Sequence, residues 1–197
     1  GDIEAVNAIS PETAEALGTE GFLATRAPLP RIFGVFFNQN HAPLFAEKSV
    51  RAALSAAAPR EEIVRDVLSG YGTAIEGPIP PGSRGFGGVG VESSAEPEDR
   101  IGAARALLEA DGWKRGDDGV YAKTKSKKET LRLAFSLSTS DVQELKTVAE
   151  RVKAAWEEMG AAVELKVFES GDLNQNVIRP RKYEAILFGE IVGRESD

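Results

Sequence analysis

The sequence predicts a mixed α/β fold, a β-sheet flanked by helices, and two observations carry that reading. Apolar residues recur at i, i+3, i+4 and i+7 in several segments, whereas 32–37, 131–137, 163–167 and 183–188 are short β-branched, aromatic or alternating runs. The two kinds of segment interleave in the order β-α-α-loop-α-β-β-α-β-α-β, with no internal repeat. At 197 residues the chain is one ordinary domain or two very small ones, able to bury roughly 70% of its unfolded surface.

Ser10-Pro11-Glu12 opens a short helix, with proline just inside it and a carboxylate in its first turn; Gly18 ends it. Pro28 and Pro30 lead an extended segment into the strand Ile32 to Phe37, and Asn38 to Pro43 turns the chain out. Val50, Ala53, Leu54 and Ala57 form the stripe of a helix over 46–58. Pro59 breaks it and starts another, closed by Gly70. Residues 71–96 are rich in glycine and proline, an irregular stretch of the kind that is usually functional or mobile.

Pro97 begins a helix that packs Ile101, Ala104, Leu107 and Leu108 and ends at Gly112. Asp117-Asp118-Gly119 is a turn, and Val120 starts a strand that hairpins toward the next. Leu131, Leu133, Phe135 and Leu137 alternate with their neighbours, the pattern of a half-buried strand. Ser140 or Asp141 can cap the longest helix, whose stripe runs from Leu145 to Met159 and stops at Gly160. Val163, Leu165 and Val167 alternate as a strand, a short helix fits 171–178, and Tyr183 to Phe188 forms the last strand.

Composition excludes several functions. Without cysteine there can be no disulfide, cysteine zinc site or thiol nucleophile. The only histidine, His41, leaves acid–base work otherwise to carboxylates, lysines and tyrosines. The charge balance, 24 basic against 31 acidic residues, does not suit tracking a phosphate backbone, so nucleic acid is not an expected partner. No apolar run approaches the ~18 residues of a membrane helix. Asp2 and Glu4 stand where the basic region of an export signal would be, and composition does not fix the compartment.

Each motif has a plain reading beside its chemical one. Gly85 to Gly90 matches G-x-G-x-x-G, but no strand precedes it and the next helix starts only at Pro97, so it reads as a loop. His41 lies in a turn without neighbours at metal-ligand spacing. The pairs Glu61-Glu62 and Asp117-Asp118 suit a helix start and a turn, and Glu157-Glu158 a polar helix face. Four lysines between Lys123 and Lys128 read as a solvated hairpin tip. There is no nucleophile elbow and no P-loop, so neither an enzyme nor a cofactor or metal site is expected.

The succession of motifs nevertheless resembles the family 5 extracellular solute-binding proteins of ABC transporters, the peptide and nickel binders. Phe36-Phe37-Asn38, Pro43-Leu44-Phe45 and Val50-Arg51-Ala52-Ala53-Leu54 form the first matching block, followed by Arg60-Glu61-Glu62-Ile63 and the loop Gly77-Pro78-Ile79-Pro80-Pro81. Ala104 to Trp113, Asp118-Gly119-Val120-Tyr121, Met159 to Leu165 and Tyr183-Glu184-Ala185 with Gly189 continue it in order. The resemblance implies one lobe of a two-lobed, type II periplasmic-binding-protein-like fold. Residues 1–197 would be the second, ligand-closing lobe, with the first lobe and the carboxy-terminal return outside this chain.

That resemblance implies a substrate-binding component of an ABC importer, outside the cytoplasm, that captures an oligopeptide or similar solute by hinge closure. Its partners would be the ligand and the membrane permease subunits, and a monomer is expected. The alternative is the ligand-sensing domain of a transcriptional regulator built on the same fold. Ligand groups are expected after the carboxyl ends of strands: Asn38 and Asn40 after the first, Ser138 and Thr139 after the alternating strand, Gly189 and Glu190 after the last. Where peptide binders carry a tryptophan and then an aspartate, this chain has Glu190 and Gly193. Glu190 can meet an ammonium group in a closed cleft or simply face solvent at a strand end. Asn38 reads equally as a turn-former, Ser138 and Thr139 as the lead-in to a helix cap, and Arg51 as structural.

Overall fold

The computed structural model describes residues 9, 11–23, 31–79, 97–126 and 129–191. Its helices are α1 (Pro11–Thr19), α2 (Lys48–Ala57), α3 (Arg60–Asp66), α4 (Pro97–Ala110), α5 (Gln143–Met159) and α6 (Ser170–Asp172), which runs on as a π-helical turn, Leu173–Ile178. A 3-10 turn, Pro43–Ala46, precedes α2. The strands are β1 (Arg31–Phe37), β2 (Lys114–Arg115), β3 (Tyr121–Ser126), β4 (Glu129–Arg132), β5 (Ala134–Ser140), β6 (Ala162–Phe168) and β7 (Ala185–Ile191). The expected interleaving holds except between α4 and α5, where four strands stand in place of the two expected. The glycine pattern at 85–90 lies outside the described residues.

The main sheet has the order β1-β7-β5-β6, with β7, β5 and β6 parallel and β1 antiparallel to β7. Alternate residues of each strand point to opposite faces. On one face Val35, Phe37, Phe135, Leu137, Val163, Ala185 and Leu187 pack with α2, α4 and α5 in the large core. On the other, Ile186 packs with Leu173 and Val177 of the π-helical turn, flanked by Phe36, Phe168 and Phe188. The α5 crossover from β5 to β6 therefore covers one face, and the α6 crossover from β6 to β7 the other.

At the centre of the large core, the Phe45 ring meets Phe37 at 4.6 Å and Phe135 edge-on at 5.0 Å, while Trp156 stands edge-on to Phe135 at 5.5 Å. The Trp156 indole donates to the Leu54 carbonyl at 2.8 Å, tying α5 to α2 with no polar group left over. Arg51 is structural, as its position in the helix suggests: its guanidinium donates to the carbonyls of Phe45 and Ala46 at 2.6 and 3.0 Å.

The run 131–137 is not one half-buried strand. It divides at Leu133 between β4, an outer member of the three-stranded antiparallel sheet β2-β3-β4, and β5, an inner strand of the main sheet. The alternation misleads because Ser136, Ser138 and Ser140 are buried although polar. Ser136 is reconciled to that burial by Glu184, whose carboxylate accepts from its amide at 2.6 Å and its hydroxyl at 2.7 Å. The cap of α5 is weaker than expected: Val142 is the N-cap residue, and the Ser140 hydroxyl accepts from its amide at 3.4 Å.

Nor are all the lysines of 123–128 solvated. Lys123 and Lys125 share one side of β3 and reach Glu47 at the start of α2, at 3.2 and 2.7 Å, while Lys123 also meets Asp111 at 2.8 Å. Hydrogen bonding from Lys125, joined by Lys123, holds the Glu47 carboxyl below the usual carboxylate range despite partial burial. Lys123, then the Ser49 hydroxyl, does the same for Asp111, and Asp111 with Glu47 raises the Lys123 ammonium in return. This cluster joins the small sheet to α2 and to the end of α4. Its lysines are structural.

Candidate functional site

The carboxyl ends of β5, β6 and β7 share one edge of the main sheet, because the three strands are parallel. Helices leaving adjacent strands toward opposite faces open a crevice at such an edge, the usual ligand position in an α/β sheet. Here α5 leaves β5 toward one face and α6 leaves β6 toward the other. Four large apolar side chains are exposed around this edge: Phe33 at 53%, Ile191 at 68%, Val142 at 46% and Val167 at 41%. Exposed apolar side chains gathered at one edge mark contact surfaces more often than scattered ones do.

The topology separates the six expected ligand residues into three environments. Gly189 and Glu190 lie at this edge, paired with Phe33 and Ile32 of β1. Glu190 is exposed. Gly189 has a packing reason to lack a side chain: a Cβ there would stand 2.6 Å from the Phe33 ring, which lies across it. Thr139 is one residue short of the strand end and fully buried on the large-core side, its hydroxyl donating to the Leu187 carbonyl at 3.2 Å.

Asn38 and Asn40 lie at the opposite edge. Since β1 is antiparallel to β7, its carboxyl end meets the beginning of β7, and the Asn38 amide donates to the Glu184 carbonyl at 2.8 Å. From Phe33 to Asn38 is about 17 Å of strand. Counting the residues after every strand as neighbours fails because strand direction is invisible in a periodicity. Asn38 is the turn-former of its plain reading: its side-chain oxygen accepts from the amides of Asn40 and His41 at 3.2 and 3.3 Å, and its side-chain NH2 donates to the Arg181 carbonyl at 2.9 Å.

Ser138 faces a third place, a pocket of about 470 Å³ on the face covered by α6. Ser136, Lys166, Asn176, Lys182, Tyr183, Glu184 and His41 are among the other residues that line it. Sequence reasoning missed this grouping, although three serines at alternate positions beside a strand-leading glutamate were a signal for it. Among the described residues, no group of three His, Asp or Glu side chains could hold a metal ion, and no helix is long and apolar enough to cross a membrane.

Comparison with known proteins agrees with this architecture. The sequence model of the bacterial extracellular solute-binding proteins, family 5 Middle, matches residues 1–193. The oligopeptide-binding protein AppA of Bacillus subtilis, solved with a nonapeptide, superposes with a TM-score of 0.70 at 24% identity, over 85% of this chain and 32% of that one. An oligopeptide-binding protein of Thermus thermophilus, solved with a pentapeptide, also gives 0.70, at 18% identity over 86% and 29%. NikA of Brucella suis, solved with Fe(III)-EDTA, gives 0.68 at 22% identity over 92% and 35%. Among curated proteins, Protein XP55 of Streptomyces lividans is 36% identical over 77 residues, 39% of this chain and 13% of that protein.

These structures share the type II periplasmic-binding-protein fold with this chain, which spans about a third of their length. With the family's sequence pattern running from residue 1 to residue 193, the chain belongs to the bacterial extracellular solute-binding proteins, family 5.

Proposed function

We propose that residues 1–197 form the second, ligand-closing lobe of a solute-binding protein that serves an ABC importer. The lobe closes by a hinge over a small solute, an oligopeptide or a molecule of similar size, and the loaded protein delivers it to permease subunits on the outer face of the membrane. The family match over residues 1–193 carries this reading. Support comes from the exposed edge of Phe33, Val142, Val167 and Ile191, which offers apolar surface where the sheet ends.

Glu190 is the charged residue best placed to act there. It is exposed at the end of β7, one residue beyond the glycine on which Phe33 rests. Exposed as it stands, its carboxylate has little electrostatic reach; closing a second lobe over it would remove water and strengthen its attraction for an ammonium group severalfold. Gly189 contributes by leaving room for the Phe33 ring, which packs on the face of the sheet opposite that carboxylate. Thr139 braces β5 against β7 from behind. Asn38 and Asn40, at the far edge, have no part in this proposal.

Native mass spectrometry of the full-length protein containing this lobe tests the assignment. Co-purifying peptide masses that disappear on Glu190→Ala are expected. A single non-peptide mass that survives the substitution would keep solute capture and discard the role of Glu190. Absence of any bound mass, with no binding in a screen of peptides and small solutes, would overturn capture itself.

A further inference from the structure

We infer that Arg31 takes the carboxylate of the captured solute, so that the sheet edge selects a short zwitterionic peptide of about two to four residues. The inference rests on the solute-capture reading and names the substrate class that this edge fits. Register sets Arg31 opposite Ile191 and Ile32 opposite Glu190, so an arginine and a glutamate stand on neighbouring strands, offset by one residue. Both are exposed, and among the described residues neither side chain forms an ion pair or a hydrogen bond.

Two such neighbours stay unpaired because of the pleat. Residues directly opposite each other share a face of the sheet, and successive residues alternate between faces. Arg31, Phe33, Gly189 and Ile191 therefore lie on the α5 face, in line with Val35 and Leu187 of the large core. Ile32 and Glu190 lie on the other face, in line with Phe36, Ile186 and Phe188. The sheet itself separates the two charges. The acids that follow the other parallel strands, Asp141 after β5 and Glu169 after β6, stand two and three strands away from β1.

A ligand lying over the end of the sheet meets both charges. Strands about 4.8 Å apart and one residue of offset put the two Cα atoms roughly 6 Å apart, and side chains leaning to opposite faces widen the gap. A span of about 6–13 Å matches the termini of two to four extended residues at ~3.4 Å each. A free amino acid is too short, and an octapeptide of ~27 Å overshoots. Phe33 and Ile191, 53% and 68% exposed on the face of Arg31, offer apolar contact to the side chain nearest the carboxyl terminus. The planar guanidinium suits that carboxylate, which it can hold through two parallel hydrogen bonds.

Calorimetric titration of the full-length protein containing this lobe with Ala-Leu-Leu, its carboxyl-terminal amide and its N-acetyl form tests the assignment. Arg31→Gln should weaken Ala-Leu-Leu about tenfold or more while leaving the affinity of the amide unchanged. Glu190→Gln should weaken the free peptide and the amide but not the acetylated form. Arg31 is exposed, so its variant folds, and the amide serves as the internal control. Equal weakening of acid and amide by Arg31→Gln, or weakening of neither, overturns the role of Arg31 and leaves solute capture standing. An eight-residue peptide bound as tightly as Ala-Leu-Leu overturns the length selection. If none of the three forms binds, the inference falls, and the bound masses in the native spectrum show whether solute capture falls with it.

Discussion

Gly160→Ala should destabilise the protein by several kcal/mol, and two independent effects add to give that figure. Gly160 ends α5 at φ +117°, in the left-handed region, where its amide bonds back to the carbonyls of Trp156 and Glu157. An L residue there costs about 1–2 kcal/mol in backbone strain. The new Cβ would also stand 2.7 and 2.9 Å from the Tyr121 ring and 3.1 Å from the Gly119 carbonyl. Tyr121 has little room to yield: it is 1% exposed, its hydroxyl donates to Glu109 at 2.6 Å, and its amide donates to the Gly160 carbonyl at 2.9 Å. Forcing a methyl into such packing costs a further 1–3 kcal/mol or so, for a sum of about 2–5 kcal/mol. With a urea m-value of about 2 kcal/mol/M, the denaturation midpoint should fall by roughly 1–2.5 M with m unchanged. Gly189→Ala is the contrast. Its Cβ would meet a ring at 2.6 Å, but Phe33 is half exposed and the backbone is not left-handed, so a loss below about 1 kcal/mol is expected. Equal midpoint shifts for the two variants, or a Gly160→Ala midpoint within error of the parent, would refute the reasoning.

The cluster of Glu47, Asp111, Lys123 and Lys125 should make stability fall in acid. Both carboxyls are held below their ordinary values, so their contribution is complete above about pH 4.5 and is lost as pH drops through the folded values. Lys123→Met should flatten the dependence of the urea midpoint on pH below that point, and superimposable curves would exclude the cluster as its cause. Raised by the same partners, Lys123 contributes fully below about pH 10.4 and loses its contribution only above that. Ser136→Ala removes the hydroxyl that shares a Glu184 oxygen with its own amide, and a loss of about 1 kcal/mol in chemical denaturation is expected. Trp156→Phe leaves the buried Leu54 carbonyl without its donor and should cost about 1–3 kcal/mol by the same measurement. Glu190→Ala should leave the unfolding midpoint within about 0.5 kcal/mol of the parent, because the residue is exposed, while lowering affinity for any ligand that carries an ammonium group.

Element type was legible wherever a single periodicity governed the segment. The α5 stripe ending at Gly160 is an example, since burial on one helix face and a left-handed stop both leave a mark on the sequence. Strand direction was not legible. Nothing in Ile32 to Phe37 states that β1 runs against β7, yet that fact moves Asn38 to the far edge from Glu190. The boundary between the two sheets at Leu133 was hidden for another reason. Buried serines mimic solvent-facing positions, and the group that permits their burial, Glu184, is 48 residues away from Ser136. Lys123 misled in the same way, because its partners Glu47 and Asp111 belong to other elements.

The parallel strands of the main sheet divide their labour by parity, and that division lets the edge proposed for ligand capture change without loosening the fold. Odd-numbered residues of β5 and β7 bury Phe135, Leu137, Ala185 and Leu187 in the large core, and Thr139 locks the pair together through the Leu187 carbonyl. Even-numbered residues face a thinner layer, where Ile186 meets two residues of the π-helical turn and the serines of β5 keep polar atoms at depth. Cooperative stability therefore rests on the first face, and the strand ends beyond Thr139 and Leu187 are anchored before they reach solvent. Substitutions at Phe33, Gly189 or Glu190 act past that anchor, so they can change what the edge contacts at small cost to folding. An exposed edge mounted on a rigid sheet in this way can vary in sequence while the crossovers through α5 and α6 stay fixed.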